Sequence, residues 1–295
     1  MATSVAHVLR WTAFAVLLAG SACVVYGVLG ERRWYRRAEY RVPVLPAGAS
    51  PLRVLHLSDL HFVRRDRRKA AFLARLPRPD VLVVTGDLLG EPDAVQDVVA
   101  ALRPVRGRVA SYVVLGSNDY FAPRPLNPLA YFRTSRRRRP GIRGRADELV
   151  TTLEAEGWED LRNRRTVLHT DGVWTDVLGL DDAHIERHDL RVAARPPGDG
   201  EGFGLAVLHS PDPVPELVAL GWNLVLSGHT HGGQVRMPLV GALVTNSQLP
   251  TRLCMGLSRF GHSYLHVSPG LGTSKFAPFR FLCRPEATVL ELVAR

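Results

Sequence analysis

Cysteine is scarce in this sequence of 295 residues: there are 3, Cys23, Cys254 and Cys283, and none belongs to a CxxC pair. That excludes a disulfide framework and a zinc-thiolate site, and it favours a reducing compartment. The signatures of common nucleic-acid modules are also missing, so no nucleic-acid partner is expected, although the formal charge is +10. A charge of that sign suits polyanions, which leaves phosphate-bearing ligands and anionic lipid. Hydrophobic residues make up 46% of the chain and charged ones 22%, enough apolar material for a globular core in one large domain or two ordinary ones.

One long stretch lacks charge altogether. Trp11 to Leu29 is almost uninterrupted apolar sequence, and a bilayer span takes about 20 such residues. Only Arg10 lies just before it, short of the positive n-region of a cleaved signal peptide, and Gly20 stands where a lipoprotein signal ending at Cys23 needs an aliphatic residue. A retained anchor fits best, with Trp11, Tyr26 and Trp34 as interfacial residues. Arg32, Arg33, Arg36, Arg37 and Arg41 follow it, so the positive-inside rule places the long C-terminal part in the cytoplasm. The expected layout is a single-pass cell-membrane protein. Residues 1–42 form the anchor and a basic juxtamembrane segment, 43–51 a Pro/Gly/Ala linker, and 52–295 the folded domain.

Within that domain, apolar runs alternate with helical patterns, and the runs stop at ligand-type residues. Arg53 to Leu57 leads to Asp59 and His61; Val81 to Val84 leads to Gly86-Asp87; Val109 to Leu115 leads to Gly116-Ser117-Asn118-Asp119. Leu205 to Leu208 leads to His209, and Trp222 to Leu226 leads to Gly228-His229-Thr230-His231-Gly232-Gly233. Helices are expected near 67–76, 93–102, 147–156 and 213–220. The run at 81–84 is too apolar for a one-sided strand, which points to a sheet covered on both faces. In each His-x-His or Asp-x-His pair an extended backbone would turn both side chains the same way, as a metal half-site requires. Open α/β sheets bind ligands beyond the carboxyl ends of their strands, where these residues fall. His184 and His188 read as surface residues. The arginine-rich stretch 122–146 reads either as a solvated insertion or as a patch resting on anionic lipid headgroups.

The blocks D-x-H, G-D, G-(N)-D, H and G-H-x-H, in that order, resemble the calcineurin-like metallophosphoesterase superfamily, and the resemblance runs from about Arg53 to the C-terminus. Leu226 to Arg236, Val267 to Leu271 and Arg284-Pro285-Glu286 are similar to its membrane-associated bacterial phosphodiesterases, some of which act on UDP-2,3-diacylglucosamine or similar lipid diphosphates. The resemblance implies an α/β four-layer sandwich, two mixed β-sheets between helices, preceded here by one transmembrane helix. It also implies two divalent ions (Mn, Fe, Zn or Co). Asp59, His61 and His231 would hold one ion; His209, His229 and an amide from the Gly116 turn the other; Asp87 would bridge. Such a pair lowers the pKa of a bridging water and neutralises phosphoryl oxygens during in-line displacement. Asp87, Asn118 and His229 are the expected catalytic residues.

The chain departs from the family in one place: the usual Gly-Asn-His-Asp/Glu is Gly116-Ser117-Asn118-Asp119. Either Ser117 takes the ligand position or, the better donor to a hard cation, Asn118 does; in both readings the catalytic histidine is absent. The expected activity is hydrolysis of a phosphodiester or phosphoanhydride, the substrate phosphate-containing and lipid-linked. Cyclic nucleotides, or a scaffold that has lost turnover, are the rival readings.

Overall fold

The structure is a computed structural model and describes residues 2–123, 141–194 and 203–295. Its strands in chain order are β1 (Arg36–Leu45), β2 (Leu52–Leu57), β3 (Val81–Thr85), β4 (Ala110–Val114), β5 (Glu159–Asp160), β6 (Arg164–Thr170) and β7 (Val173–Gly179). They continue with β8 (Phe203–Val207), β9 (Leu224–Ser227), β10 (Arg236–Met237), β11 (Gly241–Ala242), β12 (Gly256–Phe260), β13 (Ser263–Val267) and β14 (Glu286–Ala294). The helices are α1 (Ala2–Val25), α2 (Arg67–Leu73), α3 (Val95–Leu102), α4 (Ser117–Tyr120), α5 (Ala146–Ala155) and α6 (Val214–Ala219).

Two 6-stranded mixed sheets, ordered β1-β14-β2-β3-β4-β5 and β12-β13-β9-β8-β7-β6, stand face to face. Strand β3 shows why. Its residues are all buried, Leu82 and Val84 against α2, α3 and α5, Val81 and Val83 against the second sheet. An apolar run without polar alternation is what a strand covered on both faces needs. On the far side of the second sheet, Ala206, Val225 and Leu265 pack against Leu217 of α6 and Trp222. Helix, sheet, sheet and helix give the expected four layers.

β2, β3 and β4 run parallel, as do β8 and β9, so their carboxyl ends open at the same edges of the two sheets. The ligand-type residues noted in the sequence all follow these ends.

The sheet begins earlier than the sequence suggested. Residues 36–45, expected to be basic juxtamembrane segment and the start of a linker, form the edge strand β1, parallel to β14. Tyr40, Val42 and Val44 turn inward while Arg37, Glu39, Arg41 and Pro43 face out, the alternation of a one-sided edge strand that also tolerates proline. The short strands β5, β10 and β12 were likewise not anticipated. Most of the expected 122–146 insertion, residues 124–140, and the loop at 195–202 lie outside the described residues; Ala146 already belongs to α5.

Helix α1 continues through a wide turn (Tyr26–Gly30) into Glu31–Arg33, and the span His7–Arg33 is apolar and long enough to cross a membrane, with mean hydropathy 2.1.

Candidate metal centre

Five of the ligand-type residues share an uncommon backbone. Asp59 (φ 47°), His61 (φ 42°), Asp87 (φ 51°), His229 (φ 69°) and His231 (φ 50°) are all left-handed. The region is sparsely populated by non-glycine residues, Asp and His being among the more tolerant, and such strain clusters at functional sites. This corrects the sequence reading in one respect. The paired side chains converge because the chain curls as it leaves each strand; an extended backbone is not what aligns them.

Asp87 stands at the centre. On its Oδ2 side His61 Nε2 lies 3.6 Å away and 3.2 Å from His231 Nε2, which in turn is 3.3 Å from Asp59 Oδ1. Ligand atoms of Asp59, His61, Asp87 and His231 all fall within 4.8 Å of one another. On its Oδ1 side His209 Nε2 lies at 3.6 Å and is 3.3 Å from His229 Nδ1. The Asn118 backbone N–H donates to Asp87 Oδ1 at 2.8 Å, and the Asn118 amide meets Oδ2. Every sequence-selected residue is therefore within reach of the Asp87 carboxylate or of a group that touches it.

The outer atoms of the imidazoles fix what the inner ones offer. His209 Nδ1–H donates to the Thr85 carbonyl at 2.7 Å and His229 Nε2–H to the Asn246 carbonyl at 3.1 Å. Those bonds aim His209 Nε2 and His229 Nδ1 at each other, so that once His209 has lost its second proton both would offer lone pairs to a cation between them. Asp59 Oδ2 accepts from Ser58 Oγ at 2.6 Å and the His229 N–H at 2.9 Å, while Asp59 Oδ1 is buried without a hydrogen-bond partner. An orphaned carboxylate oxygen beside two imidazole nitrogens fits a divalent ion.

Electrostatics point the same way. Burial pushes Asp59 up to about 6 against the pull of His209. Burial acts upward on Asp87 too, but His209, His61 and the Asn118 hydrogen bonds outweigh it and hold that carboxyl below the usual range. Burial pulls His61 down to about 4, opposed by Asp87, and holds His231 well below its ordinary value together with His61 and Arg280. For His209 burial is overcome by Asp87, Asp59 and Asp182, which raise it to about 9, so this imidazole would have to release a proton on binding an ion. Neutral His61 and His231 on one side and anionic Asp87 at the centre are the protonation states that bind metal.

Several supporting residues were given no role of their own from the sequence. Asp119 accepts the N–H groups of Gly116 and Leu89, both at 2.9 Å, and so ties the α4 turn to the loop after Asp87; burial and the Asp87 charge push it up to about 7. A Cβ on Gly116 would lie 2.3 Å from Asp87 Oδ1, so only glycine lets that turn close on the carboxylate. Arg280, fully buried, donates to the carbonyls of Pro269 (2.7 Å) and Gly272 (2.6 Å), holding the 269–272 loop behind Asp59 and His61. His184, read as a surface residue, is half-buried with its ring 4.3 Å from that of His229. His188, also half-buried, has no ring contact of that kind among the described residues.

The profile of the family described as Calcineurin-like phosphoesterase matches residues 52–233. Phosphodiesterase YaeI of Escherichia coli is 28% identical over 292 residues, 95% of this chain and 97% of that protein. UDP-2,3-diacylglucosamine pyrophosphatase LpxG of Chlamydia muridarum is 26% identical, covering 86% of this chain and 87% of its own. A transmembrane protein with metallophosphoesterase domain from Bos taurus is 28% identical over 96% of this chain, which spans 62% of that longer relative. With its metal-ligand cluster at the carboxyl ends of two facing sheets, the chain belongs to the calcineurin-like phosphoesterases and is a hydrolase of that family.

Proposed function

We propose that the chain is a dinuclear, metal-dependent phosphodiesterase or pyrophosphatase, anchored in the cell membrane by α1 with its catalytic domain in the cytoplasm. The observation that carries this reading is the pair of imidazole couples on opposite sides of one carboxylate, His61 and His231 facing Asp87 Oδ2, His209 facing Oδ1 with His229 beside it. Asp59, His61 and His231 would hold one ion and His209, His229 and the Asn118 amide oxygen the other, with Asp87 shared. Such a pair supplies Lewis acidity and an activated water for in-line attack on phosphorus. The protein's own part is positional. Asp87 is kept anionic between the couples, Asp119 and Gly116 fix the turn that delivers Asn118, and His229 is oriented by the Asn246 carbonyl.

The substrate class is a phosphodiester or phosphoanhydride on a membrane lipid. Support comes from the apolar span next to the domain, the surplus of arginine beyond it, and similarity to LpxG, whose name states a lipid-linked diphosphate substrate.

The test is hydrolysis of bis(p-nitrophenyl) phosphate by the detergent-solubilised full chain, stripped and reloaded with Mn²⁺, Zn²⁺, Fe²⁺ or Co²⁺. Turnover that requires the ion and falls at least 10³-fold in Asp87→Asn is expected, since that change removes both central oxygens' charge at once. A folded, metal-loaded protein with no turnover would favour a scaffold. Equal activity on a soluble cyclic nucleotide and on a lipid diphosphate would remove the membrane substrate from the reading.

A further inference from the structure

The turn that carries His229 and His231 runs on into the ribbon β10–β11, whose tip after Met237 is Pro238-Leu239-Val240. This tip is apolar and open. Leu239 is 109% exposed and Val240 67%, with Met237 and Leu243 exposed beside them. Leu239 also has φ 65°, a left-handed position at which glycine or asparagine would be comfortable and a leucine is strained. A chain that places a strained, fully exposed leucine where a polar turn residue fits better is presenting that side chain to something apolar.

The surroundings of the ribbon select a bilayer. Phe281 pairs with the strand leading into it, through Arg236 N–H to the Phe281 carbonyl (2.9 Å) and Phe281 N–H to the Gln234 carbonyl (3.0 Å). The same Phe281 meets the ring of Tyr26 edge-on at 6.2 Å, at the end of the apolar span. Gly27 closes on Phe279 so tightly that a Cβ there would lie 2.2 Å from its ring. Leu282, exposed, joins Leu239, Val240 and Arg252 around an open cleft of about 440 Å³. The apolar tip is thus continuous with the last turn of the membrane-crossing helix, and Arg236 and Arg252 at its base suit anionic headgroups.

We infer that the β10–β11 ribbon is a second membrane contact, dipping Leu239 and Val240 into the headgroup and acyl boundary beside α1. The inference rests on the anchored reading above. Its consequence is positional: Arg236 also donates to the Gly232 carbonyl at 3.0 Å, so the ribbon seats the histidine turn at a fixed height over the bilayer, where a lipid-linked phosphate arrives.

The full chain provides its own control, because Cys23 lies exposed on α1 while Cys254 and Cys283 are buried. An NBD fluorophore is attached to Cys23 in one sample, and to Leu239→Cys or Val167→Cys in a Cys23→Ser background in two others. Each is reconstituted into phosphatidylcholine/phosphatidylglycerol vesicles with and without doxyl-labelled lipid. The labels at 23 and 239 are expected to lose at least half of their intensity to doxyl lipid, and the label at 167, on β6, to keep its intensity. Quenching at 23 without quenching at 239 overturns the ribbon contact and leaves the anchor standing. No quenching at either overturns the anchor and the ribbon together. A label at 239 shielded from aqueous iodide yet untouched by doxyl lipid means that a second copy or another protein covers the ribbon, and also overturns the inference.

Discussion

In both readings of Gly116-Ser117-Asn118-Asp119 the family's catalytic histidine is absent, and neither the Ser117 hydroxyl nor the Asn118 amide readily gives up a proton at neutral pH. General acid catalysis is worth typically 10²–10⁴-fold, so without it the rate should depend on how well the leaving group departs unprotonated. For a series of aryl phosphodiesters, log kcat/KM is expected to fall steeply as leaving-group pKa rises, with phosphoanhydrides among the better substrates. A flat line would show that another residue protonates the leaving group. His184, ring to ring with His229 at 4.3 Å, is then the residue to change, and His184→Ala should turn the flat line steep. The identities around the site were legible because each stood just after an apolar run. What the sequence could not convey was backbone: the left-handed turns at Asp59, Asp87 and His231 depend on contacts such as His61 N–H to the Asp87 carbonyl at 2.9 Å, between distant segments.

Where the apolar helix runs into the sheet, residues 31–36 tie the two together. Glu31 is buried, and its carboxylate accepts the N–H groups of Leu282, at 2.9 Å, and Cys283. Cys283 Sγ in turn donates to the His231 carbonyl at 3.2 Å. Trp34 lies against the Arg284 guanidinium at 3.9 Å, and Arg36 pairs with the buried Glu286 at 2.6 Å. Glu31→Ala leaves the buried Cys283 N–H and the half-buried Leu282 N–H without their acceptor, a loss of about 1–3 kcal/mol. The expected result is a fall in Tm of roughly 2–10 °C for the solubilised chain, and a higher Mn²⁺ concentration for half-maximal turnover. An unchanged metal requirement together with a lowered Tm would separate this tie from the site. This element was misread from sequence for a physical reason. Arg37 and Arg41, read as topology-setting charges after a long apolar run, form part of the outward half of an edge strand. The strand pairs with β14 near the other end of the chain, Tyr40 opposite Leu290 and Val42 opposite Leu292, and no local pattern reports so distant a partner. The central strands were legible as uninterrupted apolar runs and α3 and α5 as amphipathic periods; two-residue strands such as β5 and β10 have too few positions for either signal to show.

At the scale of the whole molecule the two sheets meet across an apolar layer that includes Val54, Val83, Leu205 and Leu226, and one polar pair is set into it. His56 Nδ1 and His266 Nδ1 are 2.8 Å apart, both side chains fully buried. His56 Nε2 reaches Thr85 Oγ1 at 2.9 Å, whose carbonyl accepts from His209. Only one proton fits between the two Nδ1 atoms, so the rings cannot both be charged, and burial between the sheets disfavours a charge on either. Burial accordingly pulls His266 down to about 3, and burial with His266 alongside holds His56 well below its ordinary value. Unfolded, both would titrate near 6.5. Below that pH the unfolded chain binds more protons than the folded one, so the stability due to keeping these rings neutral is full above about pH 6.5 and is lost as pH falls towards 3. Each proton adds about 1.4 kcal/mol per pH unit to the slope, and the pair up to about 2.7. Urea midpoints of the solubilised, metal-free chain measured from pH 7.5 to 4.5 should fall more steeply than those of the double variant His56→Gln, His266→Gln, whose amides can keep a hydrogen bond across the sheets without titrating. Parallel curves for the two proteins would place the acid sensitivity elsewhere, among the imidazoles around Asp87 that both proteins share.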